Sequence, residues 1–358
     1  MMADSLLARA ENLADLVGGG ELDSLLVTSP IALEYLTGFT GSNGACLIGP
    51  AERIFLTDFR YRERMADGIP GWDVQIVEGD WMGSLASRLA PRTGIEDDHL
   101  TVREAARLQA EAREGVDLVP AGRLIEGLRR TKDEEEIAAI ARAAELSDQI
   151  LGEVFEAGLI GRTEADVAGQ IVSRMREEAA EPSFLPIVAS GPNGADPHSE
   201  PGARVIGRGE LVVIDMGARL DGYCSDCTRT VATGDPGEEA RNVHSVVLEA
   251  NEAALAEVRA GAGCIQVDRA AREIIEAAGW GDRFGHGVGH GVGLEIHEAP
   301  RIGPRSTESL VEGDVVTIEP GVYLPGRLGV RIEDLVVVGA GGIRSNLSSH
   351  PKTLTIID

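Results

Sequence analysis

Apolar positions along this chain change their period several times, and each change marks an element. Leu25-Leu26-Val27, Ala45-Cys46-Leu47-Ile48 and Arg53-Ile54-Phe55-Leu56 are short apolar runs bounded by Gly, Pro, Ser and Asp, which predicts strands separated by turns. Residues 103–113 and 121–129 carry helical spacing instead, so residues 1–128 read as a mixed α/β domain. The charged run Arg129-Arg130-Thr131-Lys132-Asp133-Glu134-Glu135-Glu136 starts a helix, its acids suited to the positive helix end. A second domain, 129–358, begins there.

In this second domain the pattern repeats with a period near a hundred residues, too long for a solenoid. A helix over 134–157 carries Ile137, Ile140, Ala141 and Ala144 on one stripe; a second starts at Thr163 with Val167, Ile171 and Met175. Strands follow over 211–218 and 223–232, joined at Asp221-Gly222, a strong hairpin signal. The second pass has helices over 237–259 and 266–278, then strands over 314–323 and 329–338 around Pro325-Gly326-Arg327. The helix entries align as Gly161-Arg162-Thr163-Glu164-Ala165-Asp166 against Gly263-Cys264-Ile265-Gln266-Val267-Asp268. Two helix–helix–hairpin units in tandem predict a pseudo-symmetric domain, helices covering a sheet, in an α/β (α+β) chain.

Composition narrows the function. At 358 residues, 43% hydrophobic and 26% charged, the chain has the make-up of an ordinary globular protein of two domains. A net charge of -26 disfavours nucleic acid and anionic membranes as partners. Only Lys132 and Lys352 are lysines, which leaves little room for Schiff-base chemistry. Cys46, Cys224, Cys227 and Cys264 show no disulfide spacing. Cys224 and Cys227 form a CxxC, but their odd spacing on one strand sends them to opposite faces, so they read as buried small residues. Residues 1–16 lack a signal-peptide layout, and no apolar run reaches the roughly 18–20 residues that cross a bilayer. The expectation is a cytoplasmic enzyme.

Each hairpin carries two carboxylates inside apolar strands. With Asp221-Gly222 as the turn, Asp226 falls opposite Gly217, on the face of Asp215, so both acids point the same way. In the second hairpin a three-residue loop puts Glu319 directly across from Glu333, whereas a two-residue loop puts them on opposite faces. A single acid in a strand is ordinarily an exposed polar position. Four acids at matched places on one face would repel severely unless cations held them. His198, His286, His290 and His297 lie near them in sequence. The segment Gly285–Gly293 is too glycine-rich for a helix and reads as extended or turning backbone. A phosphate loop is the competing reading, but no Gly-Lys-Ser/Thr follows. Oxygen-rich ligation with one imidazole suits a fairly hard divalent ion, Mn²⁺ first, with Co²⁺ or Zn²⁺ as alternatives. Two such ions roughly 3.5–4 Å apart, sharing a bridging hydroxide, would hydrolyse a substrate.

At this point the chain resembles the Xaa-Pro peptidases of the pita-bread metallopeptidase group, which includes prolidase and aminopeptidase P. The motifs are Ser190-Gly191-Pro192-Asn193 through Pro197-His198, Asp215-Met216-Gly217 through Asp226-Cys227-Thr228-Arg229-Thr230, Gly285-His286 through His290 and Ile296-His297-Glu298, and Ile318-Glu319-Pro320-Gly321 through Arg331-Ile332-Glu333-Asp334. Tyr35 to Ser42 and Thr57-Asp58-Phe59-Arg60-Tyr61 resemble the family's amino-terminal, creatinase-like domain. The resemblance implies two metal ions, one chelated by Asp215, the other bound by His290 and Glu319, with Asp226 and Glu333 bridging. It implies Glu319 as proton shuttle, His198 and His297 as substrate and oxyanion contacts, and His286 at the pocket wall. It implies Arg331 among the residues at the substrate site, steadying the ligands, and Arg301 as a match to an arginine that some prolidases use for a substrate carboxylate, at a position that carries arginine in other members too. It also implies a homodimer in which the amino-terminal domain helps to close the site.

The implied reaction is hydrolysis of an Xaa-Pro bond in peptides with proline second. The short bacterial form of the chain favours an Xaa-Pro aminopeptidase over an Xaa-Pro dipeptidase. Methionine aminopeptidase shares only the catalytic half. A creatinase-type hydrolase works without metal, and a binding module on this fold would have lost ligands that are all present here.

Overall fold

The computed structural model describes residues 2–357. It divides into two compact units, 1–129 and 130–358. In the first unit, strands β1 (Ser24–Val27), β2 (Gly44–Ile48), β3 (Arg53–Asp58), β4 (Asp73–Val77), β5 (Arg92–Ile95) and β6 (Asp117–Pro120) form one sheet ordered β4-β3-β2-β1-β5-β6. β1, β2 and β3 are antiparallel neighbours; β4, β5 and β6 join in parallel. Helices α1 (Met2–Gly19), α2 (Pro30–Thr37), α3 (Trp81–Ala86), α4 (Val102–Glu111) and α5 (Leu124–Arg130) complete the element list. Leu26, Leu47, Leu56, Leu85, Leu89 and Leu108 form a common core on one side of the sheet. The helix α1, absent from the sequence reading, buries Leu13 and Val17 completely.

In the second unit the helices are α6 (Glu134–Glu156), α7 (Glu164–Glu177), α8 (Gly237–Glu257) and α9 (Cys264–Ala277). Asp133 starts α6 and Thr163 starts α7, each by a reciprocal capping box three residues long. The strands are β7 (Glu181–Pro182), β8 (Ile187–Ser190), β9 (Leu211–Met216), β10 (Ala218–Leu220), β11 (Tyr223–Cys224), β12 (Cys227–Ala232), β13 (Gly289–Gly291), β14 (Glu298–Ile302), β15 (Val315–Ile318), β16 (Gly321–Leu324), β17 (Leu328–Arg331), β18 (Asp334–Val338) and β19 (Ile343–Asn346). They pair as β11-β10-β7, β12-β9-β8, β14-β13-β15-β18-β19 and β16-β17. Apolar faces of α6 and α7 pack with β8 and β9 into one core, those of α8 and α9 with β15 to β18 into another. No helix of the described residues is long and apolar enough to cross a membrane.

The tandem repeat is present, with its alignment shifted by two residues from the sequence reading. α7 starts after Thr163 and α9 after Gly263, so Gly161 corresponds to Gly261; both have left-handed backbone, φ 82° and 83°. Glycine serves in either role, so matching on glycine alone pairs the turn residue Gly161 with the cap residue Gly263.

Both hairpins differ from the expectation of continuous strands. Asp221 and Gly222 take positive φ, 51° and 86°, as a two-residue hairpin turn requires, and Leu220 pairs with Tyr223. The ladder then lapses at Gly217 and Asp226 and resumes with Met216 against Cys227 in the same register. The second hairpin lapses in the same way, between Ile318–Asp334 and Gly321–Arg331. Leu324 pairs with Leu328, so the loop has three residues and Glu319 lies across from Glu333. The interruptions coincide with the carboxylates. Cys224 and Cys227, on either side of one gap, are buried in different apolar clusters.

Candidate metal centre

Asp215, Asp226, His290, Glu319 and Glu333 line one cleft of about 1820 Å³, together with His198, His286, His297, Arg301 and Arg331. Neither Cys224 nor Cys227 lines it. Backbone crowding explains two glycines in the motifs. A Cβ on Gly217 would stand 1.9 Å from the Ser225 carbonyl oxygen, and one on Gly289 would stand 1.9 Å from that of Thr317. Only glycine lets the strands beside Asp226 and His290 come this close.

Asp226, His290 and Glu333 are buried, and each offers one ligand atom within 4.8 Å of the others. His290 donates Nδ1–H to the Gly291 carbonyl at 3.0 Å, an oxygen that can only accept. Its Nε2 therefore faces Asp226 Oδ2 at 3.6 Å and Glu319 Oε1 at 3.3 Å. Only a proton or a cation among these atoms makes that arrangement favourable. Asp215 stands outside the tight trio; its Oδ2 accepts from Arg331 Nη2 at 2.6 Å. Thr228 donates its hydroxyl to Glu333 Oε2 at 2.7 Å and accepts from Arg331 Nε at 3.1 Å. The remaining oxygens, Asp215 Oδ1 and Glu333 Oε1, are buried without a hydrogen-bond partner. Buried carboxylate oxygens are seldom left so, and the orphaned pair fits a divalent cation.

Electrostatics agree. Burial raises the pKa of Asp226 and Glu333 well above the usual carboxylate range, and the neighbouring acids raise it further. Burial raises Asp215 too, against the opposing pull of Arg331. Burial also pushes Glu319 up, but the hydrogen bond from His290 and the charges of His290, His286 and Arg331 outweigh it and hold Glu319 below its ordinary value. Acids whose folded pKa is raised cost nothing while they are protonated in both states. Above the unfolded value, about 4, the unfolded chain ionises freely while the folded site resists, so stability is lost as pH rises. A bound cation removes this penalty. The gap in melting temperature between metal-loaded and chelator-stripped protein is therefore expected to widen from about pH 5.5 to about pH 8. A scanning-calorimetry series that shows a constant gap contradicts it.

The surrounding residues take distinct places. His198 and His297 are exposed to the cleft. The ring of His297 is only partly covered by the cleft wall, and that partial desolvation, with the nearby His290 and Arg301, lowers it to about 4; the ring meets that of His290 edge to face at 4.5 Å. His286 is half-buried, with Nδ1 on Gly287 O at 2.8 Å and Nε2 on the Tyr323 hydroxyl at 3.0 Å. Arg301 sits directly across the ladder from His290. Arg331 is 4% exposed and tied to Asp215, Thr228, Tyr323 OH and Pro197 O. That geometry fixes its guanidinium against Asp215 and Thr228 and leaves little of it open to the cleft. Thr228 and Tyr323 were missed as site residues; a threonine paired with Asp215 in the ladder was the available signal for the first.

The model of metallopeptidase family M24 matches residues 138–340, more than half of the chain. The chain belongs to metallopeptidase family M24. Residues 9–131 match the creatinase/prolidase N-terminal domain that accompanies this family's catalytic domain here. A Xaa-Pro dipeptidase of Pyrococcus furiosus is 34% identical over 94% of this chain and 96% of its own. Among solved structures, a Xaa-Pro dipeptidase from Bacillus anthracis superposes with a TM-score of 0.92 at 34% identity, covering 99% and 100% of the two chains. An X-Pro aminopeptidase from Thermotoga maritima gives 0.88 at 33% identity, covering 96% and 99%. M24 membership implies divalent metal ions, which the buried, partnerless carboxylate oxygens suit.

Proposed function

We propose that this chain is a Xaa-Pro dipeptidase that works with two divalent ions, Mn²⁺ first. Asp215 would hold one ion and His290 with Glu319 the other, while Asp226 and Glu333 would serve both. The observation that carries the reading is the acid-and-imidazole trio Asp226, His290 and Glu333, at the base of a cleft, in a chain similar over its whole length to proteins named Xaa-Pro dipeptidase. The aminopeptidase reading that the sequence favoured gives way, because more of the similar structures carry dipeptidase or prolidase names. Arg301 is compatible with that reading. A guanidinium across from His290 suits the free carboxylate that a dipeptide places just beyond the scissile bond.

When bound, the ions supply Lewis acidity, which polarises the scissile carbonyl and makes water a stronger acid. Glu319, ionised at neutral pH, accepts the proton released by the attacking water and returns it to the proline nitrogen as the bond breaks. His297, neutral at that pH, donates a hydrogen bond to the oxygen that gains charge. His198, exposed in the same cleft, would contact the substrate as well. The Xaa-Pro amide has no N–H, so a pocket that offers that position no acceptor loses nothing with proline and leaves other substrates unsatisfied. A homodimeric, cytoplasmic enzyme whose amino-terminal domain helps to close the site completes the proposal.

Chelator-stripped protein is expected to cleave a Xaa-Pro dipeptide when Mn²⁺ is restored, and a Xaa-Pro-Xaa tripeptide at least about tenfold more slowly, because the tripeptide leaves the site's guanidinium without a carboxylate. Cleavage of the tripeptide alone would return the assignment to aminopeptidase; no cleavage of either with any divalent ion would end the proline reading. His297→Ala is expected to keep its metal and lose about 10²–10³ in kcat. Unchanged turnover would remove His297 from the mechanism.

A further inference from the structure

Pro320 interrupts the second hairpin in a particular way. The register that pairs Ile318 with Asp334 also sets Pro320 opposite Ile332, whose N–H reaches the Pro320 carbonyl at 3.4 Å. A proline has no N–H to return, so the fully buried Ile332 lacks the reciprocal donor for its own carbonyl. Neighbouring N–H groups are committed elsewhere: Glu319 N–H to Val288 O at 2.7 Å, and Glu333 N–H to Thr228 O at 3.1 Å. Asn251, fully buried on α8, fills the place. Its Nδ2 donates to Ile332 O at 3.3 Å and to Ile318 O at 2.8 Å, and its Oδ1 accepts from Lys352 Nζ at 2.8 Å. Those two carbonyls belong to the residues immediately before Glu333 and Glu319.

The first repeat has a parallel. Ser147, buried on α6, accepts the Ala218 N–H at 2.9 Å and shares a hydrogen bond with Ser225 Oγ at 2.9 Å. Ala218 and Ser225 flank the gap at Gly217 and Asp226. In each repeat the first helix sends one buried polar side chain into the lapse of its own hairpin.

We propose that Asn251 is a positioning residue of the metal centre, its single carboxamide fixing the spacing of the Glu319 and Glu333 carboxylates by holding the carbonyls behind them. The inference rests on the reading that those two carboxylates hold the ions. An apolar side chain would fill the same space; the amide is required because two carbonyls converge on it. Groups that orient ligands from behind act on metal affinity as well as on rate.

The full-length protein provides the test. Asn251→Asp keeps the shape and the acceptor for Lys352 but, ionised, has no N–H for the carbonyls. Calorimetric titration of the stripped protein should show Mn²⁺ affinity reduced about 10–100-fold. With Mn²⁺ saturating, kcat on a Xaa-Pro dipeptide should fall while KM stays within about twofold. Asn251→Ala reports the same loss without a new carboxylate, should the aspartate prevent folding. Val247→Ala, fully buried on the same helix, measures plain destabilisation: it should melt earlier yet keep Mn²⁺ affinity within about twofold. Wild-type affinity in both Asn251 variants, or an equal loss in Val247→Ala, overturns the proposal. A wild-type protein that binds no Mn²⁺ or other divalent ion would instead overturn the metal reading beneath it.

Discussion

Asp226→Ala is expected to abolish divalent-ion binding and peptide hydrolysis together, with activity down about 10³-fold or more, equivalent to about 4 kcal/mol of transition-state stabilisation. Asp226 is one of the three residues whose ligand atoms converge within 4.8 Å, and it faces His290 Nε2 directly. Its loss leaves His290 and Glu333 without the third donor, and no described side chain in the trio replaces it. Misfolding would give the same activity result, so a second expectation separates the two. Without metal, burial and the charges of Glu333, Asp215 and Glu319 oppose ionisation of Asp226. Removing it relieves that repulsion, so the stripped variant should melt above the stripped wild type at about pH 8 and lose this advantage near pH 4. Full metal content measured by plasma mass spectrometry, together with wild-type turnover, would sink the assigned centre.

Arg229→Met is expected to cost about 3–5 kcal/mol of stability. The guanidinium is 2% exposed and pairs with the equally buried Asp334 at 3.0 Å. It also donates to the His350 carbonyl at 3.0 and 2.8 Å, to the Thr228 carbonyl at 2.9 Å and to the Glu333 carbonyl. Methionine fills much of the volume but leaves those carbonyls without their donors, and Asp334 keeps only Lys352 and Asn346. Desolvated acceptors set the size of the effect, since the ion pair alone gains little over an apolar packing. Chemical denaturation of the stripped protein is the measurement, because bound metal would mask part of the loss. A change below about 1 kcal/mol would mean that water reaches the site and satisfies it.

The first hairpin was legible because Asp221-Gly222 prescribes a two-residue turn, and the turn prescribes the register of every residue beyond it. That placed Asp215 and Asp226 together. The second turn, Pro325-Gly326-Arg327, fits two loop lengths, and the choice between them is made by packing across the ladder, which sequence spacing does not encode. The lapses at Gly217 and Pro320 were hidden for a related reason: apolar runs continue through them, while the breaks come from backbone crowding and a missing N–H. Buried polar groups such as Thr228, Tyr323 and Asn251 look like ordinary strand or helix residues until their partners, which lie up to about a hundred positions away, are brought beside them. The preference for dipeptide or longer substrate depends on groups beyond the ligands, and the motif residues say almost nothing about it.

The division of the ligands between the repeats affects the order of events during synthesis. The first hairpin carries Asp215 and Asp226; His290 on β13, then Glu319 and Glu333 in the second hairpin, come later in the chain. On the proposed assignment, a nascent chain that has completed the first repeat would offer only two of the five ligands, both carboxylates, too few donors to retain an ion. Ion capture would then wait for the carboxy-terminal half and would add about 4 kcal/mol of stability at a thousandfold excess over Kd. Loading would act as a molecular checkpoint, and a chain cut short before His290 would gain no protection from it against proteolysis.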